Sequence, residues 1–233
     1  MIERRKIEAR EMKNLQDRGV RQQALEIRRV LLAGGDLPDL SRYQTGAIAI
    51  DTETMGLDPN RDRLCVVQLS PGDGSADVVQ IPPGANNNAP NLTRLLADGA
   101  VLKIFHSARF DLGVLQTYLG VMPAPVYCTK IASRLARTYT DKHGLKDLVR
   151  EVLGVDLSKQ QQSSDWGSEA LSDAQVAYAA SDVVHLHALR EKLDAMLVRE
   201  GRADLAAACF RFLPDRVRLD LAGWAAEDIF AHS

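Results

Sequence analysis

The sequence predicts an α/β or α+β sandwich with a mixed sheet. Short apolar runs bounded by turn residues fill residues 47–81, and helical spacing prevails beyond residue 108. At 233 residues the chain can bury one substantial core, and 45% hydrophobic with 26% charged residues is an ordinary globular composition. A strand-rich part feeding a helical part is satisfied by helices layered on a sheet.

The elements follow in order. Residues 3–32 lack proline, contain only Gly19 and are rich in Glu, Lys, Arg, Gln, Ala and Leu, which predicts one or two helices. Residues 1–33 thus read as an N-terminal helical extension and 34–233 as the main domain. Gly34 to Pro38 break the helix, and Ala47-Ile48-Ala49-Ile50 reads as a strand buried on both faces. Turn residues Gly56 to Asn60 precede a second strand at Leu64–Leu69, and a third lies at Asp77–Ile81. Pro82 to Pro90 is a surface loop. A helix over Leu92–Ala97, a strand over Val101–Phe105 and a helix over Ala108–Tyr118 come next, with a weak fifth strand at Val126–Thr129. Ser172 and Gln175 form a capping-box pattern, Leu171 can staple against Val176, and one long helix carries Leu186, Leu189, Leu193 and Met196 before Gly201 ends it.

Composition excludes several classes. No apolar run approaches the roughly 20 residues of a membrane span, and the N-terminus lacks the apolar stretch of a secretory signal, so a cytoplasmic location is expected. Cys65, Cys128 and Cys209 have no C-x-x-C spacing and read as small core residues. The net charge is −2, yet residues 1–31 hold nine Lys/Arg against five Asp/Glu and residues 129–162 hold seven against four. Such segments read either as solvated helix faces or as local positive surface for a polyanion.

Asp51-Thr52-Glu53 follows directly on the first apolar strand, and strand alternation points both carboxylates the same way. Two anions at the end of a buried strand repel, and a hard divalent cation is the natural remedy. Asp111 lies just inside a helix that follows a strand. Tyr178 and Asp182, four apart, share a helix face. Singly, each reads equally well as an ordinary acidic surface feature or a dipole-complementing acid.

Together, their order and spacing resemble the three motifs of the DEDD exonuclease superfamily, in the subclass with a tyrosine in the third motif. The likeness to short ribonuclease D proteins extends through Ile50-Asp51-Thr52-Glu53-Thr54, Leu145-Lys146-Asp147-Leu148, Ser163-Ser164-Asp165-Trp166 and Ala177 to Asp182. It implies a ribonuclease-H-like fold with a five-stranded mixed sheet flanked by helices, and a 3′-5′ exonuclease domain over 34–233. It implies that Asp51, Glu53, Asp111 and Asp182 bind two Mg²⁺ or Mn²⁺ ions, with Asp51 the best candidate to bridge them, and that Tyr178 orients the attacking water. The activity it implies is a 3′-5′ exoribonuclease that releases nucleoside 5′-monophosphates from single-stranded RNA 3′ ends, in trimming or maturation such as tRNA processing. A DNA exonuclease and a noncatalytic RNA-binding module are the alternatives.

Thr52, His106, Lys159 and Trp166 are candidate substrate contacts. His106 reads either as a contact or as the closure of the strand-to-helix turn, and Trp166 either as a base-stacking platform or as core. Lys103 and Arg109 read as phosphate partners or solvated cations, and Lys142, His143 and Lys146 as possible guides for the RNA backbone. His185 and His187 read as structural. Two departures stand out: only a short segment follows the long helix, and Ser107 occupies a position where many relatives carry asparagine.

Overall fold

The structure, a computed structural model, describes residues 29–32, 34–44, 46–84, 88–158 and 160–232. The helical reading of residues 3–28 and the candidate contact Lys159 lie outside the described residues. One sheet contains β1 Arg29–Leu32, β2 Ala47–Thr54, β3 Leu64–Ser70, β4 Ala76–Gln80, β5 Leu102–Phe105 and β6 Val126–Cys128. Its order is β1-β4-β3-β2-β5-β6. β3 runs antiparallel to both β2 and β4, whereas β1 on β4, β5 on β2 and β6 on β5 are parallel.

The five expected strands are all present in this mixed sheet. β1 is an addition and a correction: residues 29–32, read as the end of a helix, pair with Ala76 to Val79. Without β1, β4 would present an open edge.

The helices are α1 Pro90–Ala97, α2 Ala108–Leu119, α3 Thr129–Ala136, α4 Leu145–Leu153, α5 Asp173–Val184, α6 Leu186–Arg199 and α7 Ala203–Leu219. α5 begins with the anticipated capping box, in which Ser172 accepts from the Gln175 backbone and the Gln175 side chain accepts from the Ser172 N–H. The single long helix of the sequence reading is in fact α5 and α6, broken at His185 (φ −95, ψ −10). Its periodicity ran on because both helices bury apolar residues in one cluster: Val176, Ala179, Ala180 and Val183 from α5, Leu186, Leu189, Leu193 and Leu197 from α6.

Strand alternation divides the core into two layers. Ile48 and Ile50 of β2 join Val67, Leu69 and the α1 and α2 residues Leu92, Leu96, Leu112 and Leu115. Ala49 joins Val66, Val78, Ile104 and the α5–α6 residues on the opposite face. Each fully buried Val or Leu contributes on the order of 1.5–3 kcal/mol of transfer free energy. The same alternation decides where the residues after Ile50 point.

Three surface or core expectations change. Lys103 is neither solvated nor a phosphate partner. It is wholly buried on β5, where Nζ donates to the carbonyls of Asp98 and Ala124, and burial pushes its pKa down to about 8. Arg109 is committed to the C-terminal segment through Asp220, with Nη2 to Oδ1 at 2.7 Å. Cys65 and Cys128 are core residues as expected, but Cys209 is only half-buried on α7.

Candidate active site

Continuing the β2 alternation, Asp51 and Glu53 fall on the Ala49 face, toward α5. Thr52 falls on the Ile50 face, toward α2. From α5, Asp182 reaches the first pair: Asp51, Glu53 and Asp182 each offer an oxygen, and the three oxygens lie within 4.8 Å of one another. Asp111 approaches from the other layer. Buried in the first turn of α2, its Oδ1 accepts a 2.7 Å hydrogen bond from Thr52 Oγ1, and the charge of Asp51 acts on it. The four acids thus meet at the end of β2, three in one cluster and the fourth across the strand.

Electrostatics make this gathering costly without a counter-charge. Burial pushes Asp51 up to about 7, against hydrogen bonds from the Thr52 backbone and the Gln68 side chain that pull it down. Burial and then the charges of Asp51, Asp182 and Asp111 push Glu53 up to about 10. Asp111 and Asp182 are raised well above the ordinary range, first by burial and then by Asp51. The described groups that act on the four are one another, Gln68, Thr52 and Tyr178, with no lysine or arginine. Carboxylate oxygens packed this closely without a cationic side chain fit hard divalent cations such as Mg²⁺ or Mn²⁺.

The sign of the pH dependence follows. These acids hold protons more tightly folded than unfolded, so their contribution to stability is fully present below the usual carboxylate pKa. It is lost as pH rises through about 7 and toward about 10. Cations that replace those protons should stabilise the protein more at pH 8 than at pH 6. A concentration near 100 times the dissociation constant is worth about 2.7 kcal/mol, or roughly 5–10 °C for a chain of this size. Thermal melts with and without Mg²⁺ at both pH values test this, and equal shifts at the two would count against it.

Tyr178 lies one turn before Asp182 on α5, and the two groups act on one another. Burial and the neighbouring Asp182, Glu53 and Asp51 hold the phenol above its usual pKa, so it is a neutral donor. Trp166 packs beneath it with ring centroids 6.0 Å apart. Trp166 is 3% exposed and forms part of the cavity wall.

His106 also lines the cavity. Its Nδ1 lies 2.8 Å from Thr129 Oγ1, and burial followed by the charge of Lys130 pushes its pKa down to about 3. Thr52 is buried and lines the cavity, and its hydroxyl donates its proton in a hydrogen bond to Asp111. Ser107 adopts a left-handed conformation (φ 73) at the start of α2. Asparagine tolerates that region better than most residues, a backbone reason for its use there in relatives.

Asp51, Glu53 and Asp182 open into a cavity of about 650 Å³. Lys130, Lys146 and Gln162 line it, while Met55 and Leu57 stand exposed at its rim. Lys142 is exposed, with its carbonyl accepting from Arg137, and the His143 ring bonds Ser133 of α3. The sequence reading missed Lys130, Met55, Leu57 and Gln68. Gln68 alone had left a signal, an amide inside an otherwise apolar strand. The opening can take a strand end, with ammonium groups for phosphate and apolar side chains against bases.

Residues 38–198 match the family profile described as 3′-5′ exonuclease. The chain belongs to this family. Ribonuclease D of Gluconacetobacter diazotrophicus is 38% identical to this exonuclease over 168 residues, 72% of this chain and 42% of that one. The chain spans about two-fifths of the length of the curated relatives it matches. Brucella melitensis NrnC has a solved structure that aligns with TM-score 0.85 and 60% identity, covering 90% of this chain and 100% of that one. Its structures include one with bound Mg²⁺ and one bound to pGG. Escherichia coli RNase D shares the fold, with TM-score 0.71 at 24% identity over 83% of this chain and 51% of that one. The chain thus carries a 3′-5′ exonuclease domain of the ribonuclease D and NrnC type. Among the described residues, no helix is long and apolar enough to cross a membrane.

Proposed function

We propose that this chain is a two-metal 3′-5′ exoribonuclease that takes nucleoside 5′-monophosphates from the end of single-stranded RNA. The observation that carries the reading is the convergence of Asp51, Glu53 and Asp182 within 4.8 Å, with Asp111 held against Thr52 beside them. Asp51, Glu53, Asp111 and Asp182 would hold two Mg²⁺ or Mn²⁺ ions, which when bound supply positive charge to the attacking and leaving oxygens of an in-line displacement. A bond forms between the water oxygen and the terminal phosphorus, the bond to the 3′ oxygen breaks, and the shortened chain keeps that oxygen as a hydroxyl.

Within that reaction, Tyr178 orients the attacking water. A neutral phenol held above its usual pKa is a poor base but a good hydrogen-bond partner, and Asp182 and Trp166 fix its position. Lys130 and Lys146 lie where they can meet backbone phosphate. Trimming of RNA 3′ ends, tRNA precursors included, is work such chemistry can do. A second reading, very short RNA as the substrate, is favoured by a cavity of small-molecule size and by the relative bound to pGG.

End-labelled single-stranded RNA and DNA of one sequence, together with pGG, are the test. The expected result is one-nucleotide steps from the 3′ end of RNA, faster than on DNA and abolished by a chelator. Equal or faster DNA cleavage would replace this reading with a DNA exonuclease, and chelator-insensitive binding without product would leave only a binding module. Faster turnover of pGG than of a long strand would select the second reading.

A further inference from the structure

We propose that Gln68 is a positioning residue that locks the carboxylates of Asp51 and Glu53 into one arrangement and so sets the affinity of the acidic cluster for divalent cations. The inference rests on the metal-dependent function proposed above. Gln68 stands on β3 directly opposite Asp51 of β2 in the antiparallel register, which puts both side chains on the same face. Its side chain is wholly buried. Nε2 donates a 2.8 Å hydrogen bond to Asp51 Oδ2, and the same amide lowers the pKa of the neighbouring Glu53 carboxyl against the burial that raises it.

The chemistry of the side chain suits this task. A carboxamide offers two N–H donors and no charge, so it can hold two anions without neutralising them. A lysine or arginine in its place would compete with the cations, and an apolar residue would leave both carboxylates free to rotate. The cost is visible at the other end of the group. Gln68 Oε1 is buried and has no hydrogen-bond partner among the described residues. A glutamine serving only the packing of β3 would be expected to satisfy both ends. Turning the amide over would set its oxygen against the Asp51 carboxylate, so the orientation is dictated by the acids. Partners of this kind, which hold ligands without touching the metal, typically change affinity or activity by about 10- to 100-fold when removed.

The test uses the full chain carrying Gln68→Met, which preserves length and volume but removes both donors. Calorimetric titration of Mn²⁺ without nucleic acid should give a dissociation constant raised by about 10- to 100-fold. The Mg²⁺ concentration for half-maximal nucleotide release should rise in parallel, and turnover at saturating Mg²⁺ should fall less. An unchanged dissociation constant, or turnover lost equally at every Mg²⁺ concentration, would overturn the inference. If Gln68→Met fails to fold, Gln68→Asn, whose shorter arm cannot reach both acids, is judged by the same two measurements. Cation binding by the wild type and the variants alike sinks only the role of Gln68, whereas no cation binding by the wild type sinks the functional reading with it.

Discussion

Asp51→Asn is expected to lower nucleotide release in Mg²⁺ by roughly 10³-fold or more, the scale on which removal of one preorganised electrostatic group acts. Asp51 is the acid on which the cluster turns: it belongs to the group within 4.8 Å, it acts on Glu53, Asp111 and Asp182, and Gln68 holds it from β3. Asparagine keeps the shape but loses the charge. A second readout separates this from unfolding. With one buried anion fewer, the metal-free variant should melt higher than the metal-free wild type at pH 8, because the wild-type carboxyl, raised to about 7, is a destabilising charge there. Asp182→Asn should behave in the same way. Near-wild-type release by either variant would refute the site.

Tyr178→Phe is expected to cut turnover by about 10²-fold, the lower end of what a positioned proton-transfer or orienting group supplies. The ring stays against Trp166, and only the hydroxyl is lost. Cation and RNA affinities should therefore remain close to those of the wild type. Because burial and three neighbouring anions hold the phenol above its usual pKa, the alkaline side of the pH–rate profile should be the same in both proteins. Equal losses of binding and turnover would mean that Tyr178 holds the site together rather than orienting the reacting water.

What the sequence made legible depended on the range of the interactions involved. Strand alternation is local, so Asp51 and Glu53 could be placed on one face from residues 47–53 alone. Helical spacing did the same for Tyr178 and Asp182, and the Ser172–Gln175 cap was readable because it spans a single turn. That the motifs converge required the resemblance, since no local rule brings residue 111 or 182 to β2. Registration between strands was out of reach. The pairing of Gln68 with Asp51 depends on the turn between β2 and β3, and that of residues 29–32 with β4 depends on which edge lay open. The break at His185 was hidden because α5 and α6 feed one apolar cluster, so the pattern carried no gap. Burial of Lys103 was hidden as well, because two carbonyls from separate loops receive its ammonium.

The acids are recruited from both sides of the sheet, Asp182 from the layer that packs on Ala49 and Asp111 from the layer that packs on Ile50. A cation bound there would act as a rivet driven through the molecule, joining two halves of the core that the sheet separates. Amide hydrogen exchange should then slow in α2 and α5 together on loading with Mg²⁺, even though the two helices lie on opposite faces of the sheet.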